Sequence, residues 1–175
     1  MANDAAFLTG MLADRSAWRT NRCPIDKALQ VVGTRSAMLI LREAYYGTTR
    51  FDDFADRVGI TEAVAAARLR ELAGTGLLAR RPYKEPGQRT RFEYRLTDKG
   101  CDLMPVVFGL FDWGAKHVLP GGRASIELSH ADCGAPVRVE VRCADGHDVP
   151  LEHLVISQAR RAPSTTASLR KRRSS

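Results

Sequence analysis

Apolar positions along this chain fall into a succession of helical stripes, interrupted once by a stretch of strict alternation. Phe7, Leu8, Met11, Leu12 and Trp18 have the spacing of a short amphipathic helix, with Phe7, Met11 and Leu12 on one face and Asn21 as a possible cap. Such a segment is too short to stand alone and has to dock on something. Pro24 can open a second helix at its first position. Ile25, Ala28, Leu29 and Val32 give that helix its buried stripe, and Gly33 ends it. Thr34 caps a third helix, about residues 35–46, in which Met38, Leu41 and Tyr45 turn inward with Ala37 or Leu39 assisting. Phe51, Phe54, Ala55 and Val58 form the inner face of a fourth, with Asp52 and Asp53 in the first turn, where exposed amides favour negative charge.

Gly59 makes a tight turn, and Ile60 is placed to plug the core between two helices. The helix from Thr61 buries Ala65, Leu69 and Leu72 and turns Glu62, Ala63, Ala66, Ala67, Arg70 and partly Arg68 outward. After Gly74 and Gly76 a strand begins at Leu77-Leu78. Glu85-Pro86-Gly87-Gln88 is turn material, and Phe92, Tyr94 and Leu96 alternate with Glu93 and Arg95. Short helix, tight turn, second helix and two-stranded wing follow one another with almost no spare residues. That order predicts an α+β chain built on a winged helix-turn-helix core, in which the second helix can enter a major groove while the wing lies over phosphates.

Thr97 caps a further helix in which Met104, Val107, Phe108, Phe111, Ala115 and Val118 recur on one side, while Leu103, Leu110 and Trp113 add apolar surface elsewhere. So broad an apolar surface exceeds what one trihelical core can cover. It points to a homodimer seam shared with the amino-terminal helix (Phe7, Met11, Leu12), or to cover by residues 124–156 of the same chain. Pro120-Gly121-Gly122 breaks the chain. Beyond it Val137, Val139, Val141 and Cys143 alternate with Arg138, Glu140 and Arg142 as in a strand, and Leu151, Leu154 and Val155 indicate a closing turn of helix. The expected organisation is a dimerisation arm over 1–22, a winged-helix domain with its long last helix over 23–119, a small β-containing appendage over 120–158 and a disordered tail over 159–175.

Charge sharpens this picture more than composition does. The net charge is +7, but Arg160, Arg161, Arg170, Lys171, Arg172 and Arg173 account for nearly all of it within the tail. The informative excess lies in the wing, where Arg80, Arg81, Lys84, Arg89, Arg91 and Arg95 face only Glu85 and Glu93. No apolar run has the length of a membrane span and the amino end lacks an export pattern, so a cytoplasmic protein with no membrane partner is expected. Four scattered cysteines then read as reduced thiols rather than a disulfide framework.

Double-stranded DNA is the partner this pattern implies. Arg80, Arg81, Arg89 and Arg91 are the wing candidates for phosphate contact, Arg68 and Arg70 the helix candidates. The plain alternative is a solvated basic hairpin, with Arg70 paired to an acid one turn away. Ala63, Ala66 and Ala67 offer only small apolar contacts, suited to a thymine methyl or to close backbone approach, and groove shape can carry part of the specificity. Cys23 stands before Pro24 at a helix start, where exposed amides and Arg22 favour a thiolate, and is the redox-sensor candidate; an inert small side chain is the alternative. His130, Cys133, Cys143 and His147 are a tetrahedral set for zinc in principle, with a Cys133–Cys143 disulfide or incidental roles as alternatives. No cofactor is required. No phosphate loop, His-Glu-x-x-His or Gly-x-Ser-x-Gly pattern points to an enzyme.

Cys23-Pro24-Ile25, Ala28-Leu29-x-Val31-Val32-Gly33, Leu39-Ile40-Leu41-Arg42-Glu43, Phe51-x-x-Phe54, Gly59-Ile60, Arg68-Leu69-Arg70-Glu71-Leu72, Gly76-Leu77-Leu78, Glu93-Tyr94-x-Leu96-Thr97-x-Lys99-Gly100 and Trp113-Gly114 occur in that order. Together they resemble the HxlR-type winged-helix transcriptional regulators, over roughly Cys23 to Val118. The resemblance implies a bacterial homodimer on a pseudopalindromic operator, a repressor that answers a small-molecule effector or, in some members, an oxidant through a cysteine at the place of Cys23. Two positions depart from the family pattern. Thr61-Glu62-Ala63 and Ala66-Ala67 stand where Ser-Pro, a basic residue and polar side chains are common. Arg35-Ser36 replace a Lys-Trp pair, keeping with Arg35 a phosphate-facing cation. The Cys/His appendage is similar to tails with paired Cys-x-x-Cys knuckles, with one cysteine lacking on each side. The competing class is a winged-helix module for protein or ligand binding without specific DNA affinity.

Overall fold

Caps and turn residues in the sequence set most element boundaries. The computed structural model describes residues 6–17, 23–87 and 89–158. In chain order these hold β1 (Phe7–Leu8), α1 (Pro24–Val32), α2 (Arg35–Tyr45), α3 (Phe51–Val58), α4 (Glu62–Gly74), β2 (Leu78–Tyr83), β3 (Arg91–Leu96), α5 (Asp98–Cys101), α6 (Met104–His117) and β4 (Val155–Ile156). The chain divides into two units, Thr20–Glu140 and Met1–Arg19 with Val141–Ser175. Their boundary falls inside the stretch expected to form one appendage. Among the described residues no helix is long and apolar enough to cross a membrane.

In the larger unit Thr34 Oγ1 accepts the Ala37 amide at 3.2 Å and Thr61 Oγ1 accepts the Val64 amide at 3.3 Å, which satisfies orphan donors at the starts of α2 and α4. Gly59 ends α3 in the left-handed region at φ 66°, a conformation that costs glycine nothing and sets the angle into α4. Phe54, Ile40, Leu41, Leu69, Leu72 and Leu78 are fully buried where α2, α3, α4 and the wing meet, and the Phe54 and Tyr94 rings pack edge to face at 6.4 Å. The inward stripe of α2 is Ala37, Ile40 and Leu41. Met38 is only half-buried and Tyr45 is exposed, its ring lying against Phe108 at 5.3 Å.

β2 and β3 pair antiparallel from Leu78↔Leu96 to Tyr83↔Arg91. A third strand is reduced to the Arg50↔Glu93 bridge and a 2.9 Å bond from the Tyr94 amide to the Thr49 carbonyl. Pro82 sits in β2 without a ladder donor to offer, as an edge strand allows. Thr97 then ties the wing's exit to the end of α4. Its hydroxyl donates to the Gly76 carbonyl at 2.6 Å and accepts the Gly100 amide at 3.1 Å, while Lys99 Nζ donates to the Thr75 carbonyl at 2.7 Å. A Cβ on Gly100 would strike the Leu77 carbonyl, so only glycine fits that crossing.

Beyond the stripe of α2, four expectations need correction. The single helix after Thr97 is two, because Pro105 occupies the first turn of α6 and supplies no amide to continue α5. On α1 only Val32 is buried; Ile25 (70% exposed) and Leu29 (58%) lie bare, because none of the described residues of this unit covers them. The alternating run through Val137 to Cys143 is not a ladder strand. It is extended chain joined by isolated bridges, Ser129↔Pro136 in this unit and Arg142↔Asp148 in the other, since alternation without an adjacent partner strand leaves no ladder to form.

The fourth correction concerns the smaller unit. Residues 6–17 contain no amphipathic α-helix. Phe7–Leu8 pairs in parallel with Val155–Ile156, and Gly10, at φ 63°, opens a 3-10 turn over Gly10–Ala13. The Phe7 and Thr9 amides donate to the Leu154 and Ile156 carbonyls, so the backbone partners are distant in sequence and invisible to periodicity. Trp18, Asn21 and the basic tail over 159–175 lie outside the described residues.

Candidate nucleic-acid interface

The helix-turn-helix is α3, the Gly59 turn and α4. Burying Ala65, Leu69 and Leu72 fixes the rotation of α4, so Ala63, Ala67 and Arg70 point away from the core and Ala66 is half-buried. Thr61 is its exposed cap. Val64, absent from the expected set, is 42% exposed. Arg68 is ion-paired along the helix to Glu71, and its Nε is buried without a hydrogen-bond partner among the described residues. Arg70, for which an acid partner one turn away was the plain alternative, makes no ion pair among the described residues and is exposed. Arg35, in the first turn of α2, is likewise exposed.

In the wing some cations are stacked on rings, some are ion-paired and others are simply exposed. The Arg80 guanidinium carbon lies 3.2 Å from the centroid of Phe92, a cation–π contact that holds the charge up against the face of β3. Arg81 and Arg89 are exposed; Arg91 is also exposed, with Nη1 3.9 Å from Asp52 Oδ2 at the start of α3. Arg95 donates to Glu93 at 2.9 Å, and that bond, helped by the nearby Arg50 and Arg81 charges, holds the Glu93 carboxyl below its usual range. Glu93 therefore stays ionised and offsets part of the wing's positive charge.

Sequence reasoning missed Arg50. It precedes α3, its guanidinium sits 3.5 Å from the Tyr83 ring centroid, and its Nη2 is 3.5 Å from Glu85 Oε1. Together with Arg91–Asp52 this joins the wing to the first helix of the reading motif, around a groove of about 330 Å³ lined by Arg50, Phe51, Asp52, Tyr83, Arg91, Phe92 and Tyr94. Nothing local marks Arg50 as an anchor, since its partners lie more than thirty residues onward.

The geometry has a counterpart among known proteins, for the HxlR-like helix-turn-helix family model matches residues 31–121. The chain belongs to this family. An HTH-type transcriptional regulator of Mycobacterium tuberculosis H37Rv is 39% identical over 110 residues, 63% of this chain and 68% of the relative. YdeP of Bacillus subtilis, another so named, is 32% identical over 96 residues, 54% and 73% of the two chains. Among solved structures, PA1607, described as a transcription factor, superposes with TM-score 0.70 at 34% identity and covers 79% of this chain and 96% of its own. PA1374 of Pseudomonas aeruginosa reaches 0.58 at 36%, covering 82% and 97%. This HxlR-family chain is a DNA-binding transcriptional regulator with a winged helix-turn-helix fold.

The remaining candidates of this HxlR-family regulator belong to elements other than α3, α4 and the wing. Cys23 is the half-buried N-cap residue of α1, followed by Pro24 at the first helical position. His130 Nδ1 lies 3.3 Å from Cys133 Sγ, whereas Cys143 and His147 belong to the smaller unit, where the Cys143 amide donates to the His147 carbonyl at 3.0 Å. Among the described residues no three His, Cys, Asp or Glu side chains gather into a metal-binding group. Of the expected seam residues, Met104 is buried within its own chain, Val107, Phe108, Phe111 and Ala115 are half-buried, and only Val118 lies bare at the end of α6. Phe111 and Ala115 face a groove of about 620 Å³ whose opposite wall is residues 122–140. Phe7 is exposed and Leu12 half-buried in the smaller unit; the side chain of Met11 lies outside the described residues.

Proposed function

We propose that two copies of this chain associate through α6 and α1 and act as a repressor on a pseudopalindromic operator, with occupancy set by a thiol or small-molecule signal. One observation carries the reading. Val106 (52% exposed), Leu110 (53%) and Trp113 (61%) form a bare apolar line on α6, and Ile25 and Leu29 expose another on α1. Contiguous apolar surface of this kind is costly in water and marks an association surface. A two-fold pair would present two copies of α4 to successive major grooves, which is what half-site symmetry needs.

The signal has two supported routes. Cys23 caps α1, so chemistry at its thiol would act on a helix of the proposed seam. HypR, described as a redox regulator and solved in its oxidised form, superposes with TM-score 0.51 at 28% identity, covering 56% of this chain and 100% of its own. The groove beside Phe111 and Ala115 favours a small effector instead, being within the usual range of ligand sites and walled by Ile126, Leu128 and Val139.

Sedimentation equilibrium, duplex binding across a salt series and repetition after treatment with a thiol oxidant test these points together. The expected result is a dimer whose affinity falls steeply with salt, and whose oxidant response is lost in Cys23→Ser. A monomer with full operator affinity would overturn the assembly. An oxidant response unchanged in Cys23→Ser would overturn the thiol route.

A further inference from the structure

We infer that α4 reads thymine methyl groups, with Val64 as the principal reader and Ala63 and Ala67 allowing close approach; this rests on the DNA-binding reading above. In a helix-turn-helix the amino-terminal turns of the second helix reach the base edges. Here those turns display Glu62, Ala63, Val64, Ala66 and Ala67. None of these can donate the bidentate hydrogen bonds that identify guanine or adenine. Glu62 can only accept, from the amino group of a cytosine.

The first cation along α4 is withdrawn. Arg68 is paired with Glu71 one turn along, and releasing it toward a guanine would leave the Glu71 carboxylate facing a polyanion. Arg70 lies two residues further along, on the flank opposite Val64, where it suits a phosphate.

Val64 is held ready. Its amide is bonded to the Thr61 cap at 3.3 Å, and a β-branched side chain in a helix has essentially one rotamer. The side chain is 42% exposed and stands outside the buried core that would otherwise explain an apolar residue there. The apolar feature that the major groove offers is the C5-methyl of thymine. Ala63 and Ala67, one turn apart on the outermost line of α4, carry nothing beyond Cβ and let the helix sink far enough for Val64 to touch it.

The test begins with duplexes selected from a random pool by the full-length protein. In the selected half-sites each thymine is replaced in turn by deoxyuridine, which removes only the methyl group. Wild type should lose about fourfold in affinity at a contacted thymine, the worth of one buried methyl. Val64→Ala should bind the thymine site that much more weakly and show no further loss with deoxyuridine. Unchanged affinity at every deoxyuridine, or selection of guanines whose 7-deaza analogue abolishes binding, would overturn the inference and return base reading to Arg68 or Arg70. Salt-sensitive binding with no selected sequence would overturn base reading while leaving DNA binding intact. Absence of duplex binding at any salt would overturn both.

Discussion

Two helices of nearly equal length, α4 and α6, show how differently an outer face can be built. On α4 a narrow stripe of Ala65, Leu69 and Leu72 is completely buried, and the outer face is short: Ala63, Ala67, a valine, then arginine. On α6 Met104 alone is fully enclosed, and the outer face is large and apolar, with Val106, Leu110 and Trp113. A helix that lies in a groove about 12 Å wide has to be slim and must leave hydrogen-bonding and methyl groups accessible. A helix that meets another protein gains from wide apolar side chains that fill space and exclude water. The two faces thus differ in side-chain bulk as well as in polarity, and both differences suit α4 to DNA and α6 to the proposed second copy.

Substitutions on the two helices should separate these roles. Leu69→Ala, in the buried stripe of α4, should lower stability by about 2–5 kcal/mol in urea unfolding, because it leaves a cavity in a closed core. A drop below about 1 kcal/mol would mean that α4 is less firmly seated than its burial indicates. Next in size, Leu110→Asp with Trp113→Asp should weaken self-association by on the order of 2 kcal/mol per side chain in sedimentation, with the unfolding of the single chain nearly unchanged. Should the single chain unfold instead, the α6 stripe is an inner surface and the contrast with α4 disappears.

Smaller effects belong to the wing. Arg80→Ala with Arg91→Ala should weaken binding to all duplexes alike and reduce the salt slope by about 1 for each phosphate left without its arginine, measured by titration at several salt concentrations. A change of sequence preference would move these residues from holding phosphates to reading bases. The least effect is expected for Glu93→Gln. Because the Glu93 carboxyl is held below its usual range by Arg95, it binds fewer protons folded than unfolded. Its contribution to stability is therefore present above the ordinary carboxylate range and fades as pH falls through the depressed folded value. Thermal unfolding of Glu93→Gln should show a slightly flatter acid limb than wild type, and identical acid limbs would remove Glu93 from the wing's charge balance.

Much of this was legible in the residues themselves. Thr34, Thr61 and Thr97 marked three helix starts, Gly59 the turn, and the stripe Ala65-Leu69-Leu72 the rotation of α4, because caps, turns and periodicity act over a few residues and leave a local trace. Pro105 was equally local and its break in the helix was overlooked. Other features depend on partners far along the chain. Arg50 is an anchor only because Tyr83 and Glu85 return to it, Phe7–Leu8 is a strand only because Val155–Ile156 runs beside it, and Met104 and Leu110 have opposite fates on one helix only because a core occupies one side. Sequence alone thus determined where α2, α3 and α4 begin and which face of α3 and of α4 turns inward, while the tertiary structure decided which apolar faces find cover, since burial is a property of the space between elements and not of any one of them.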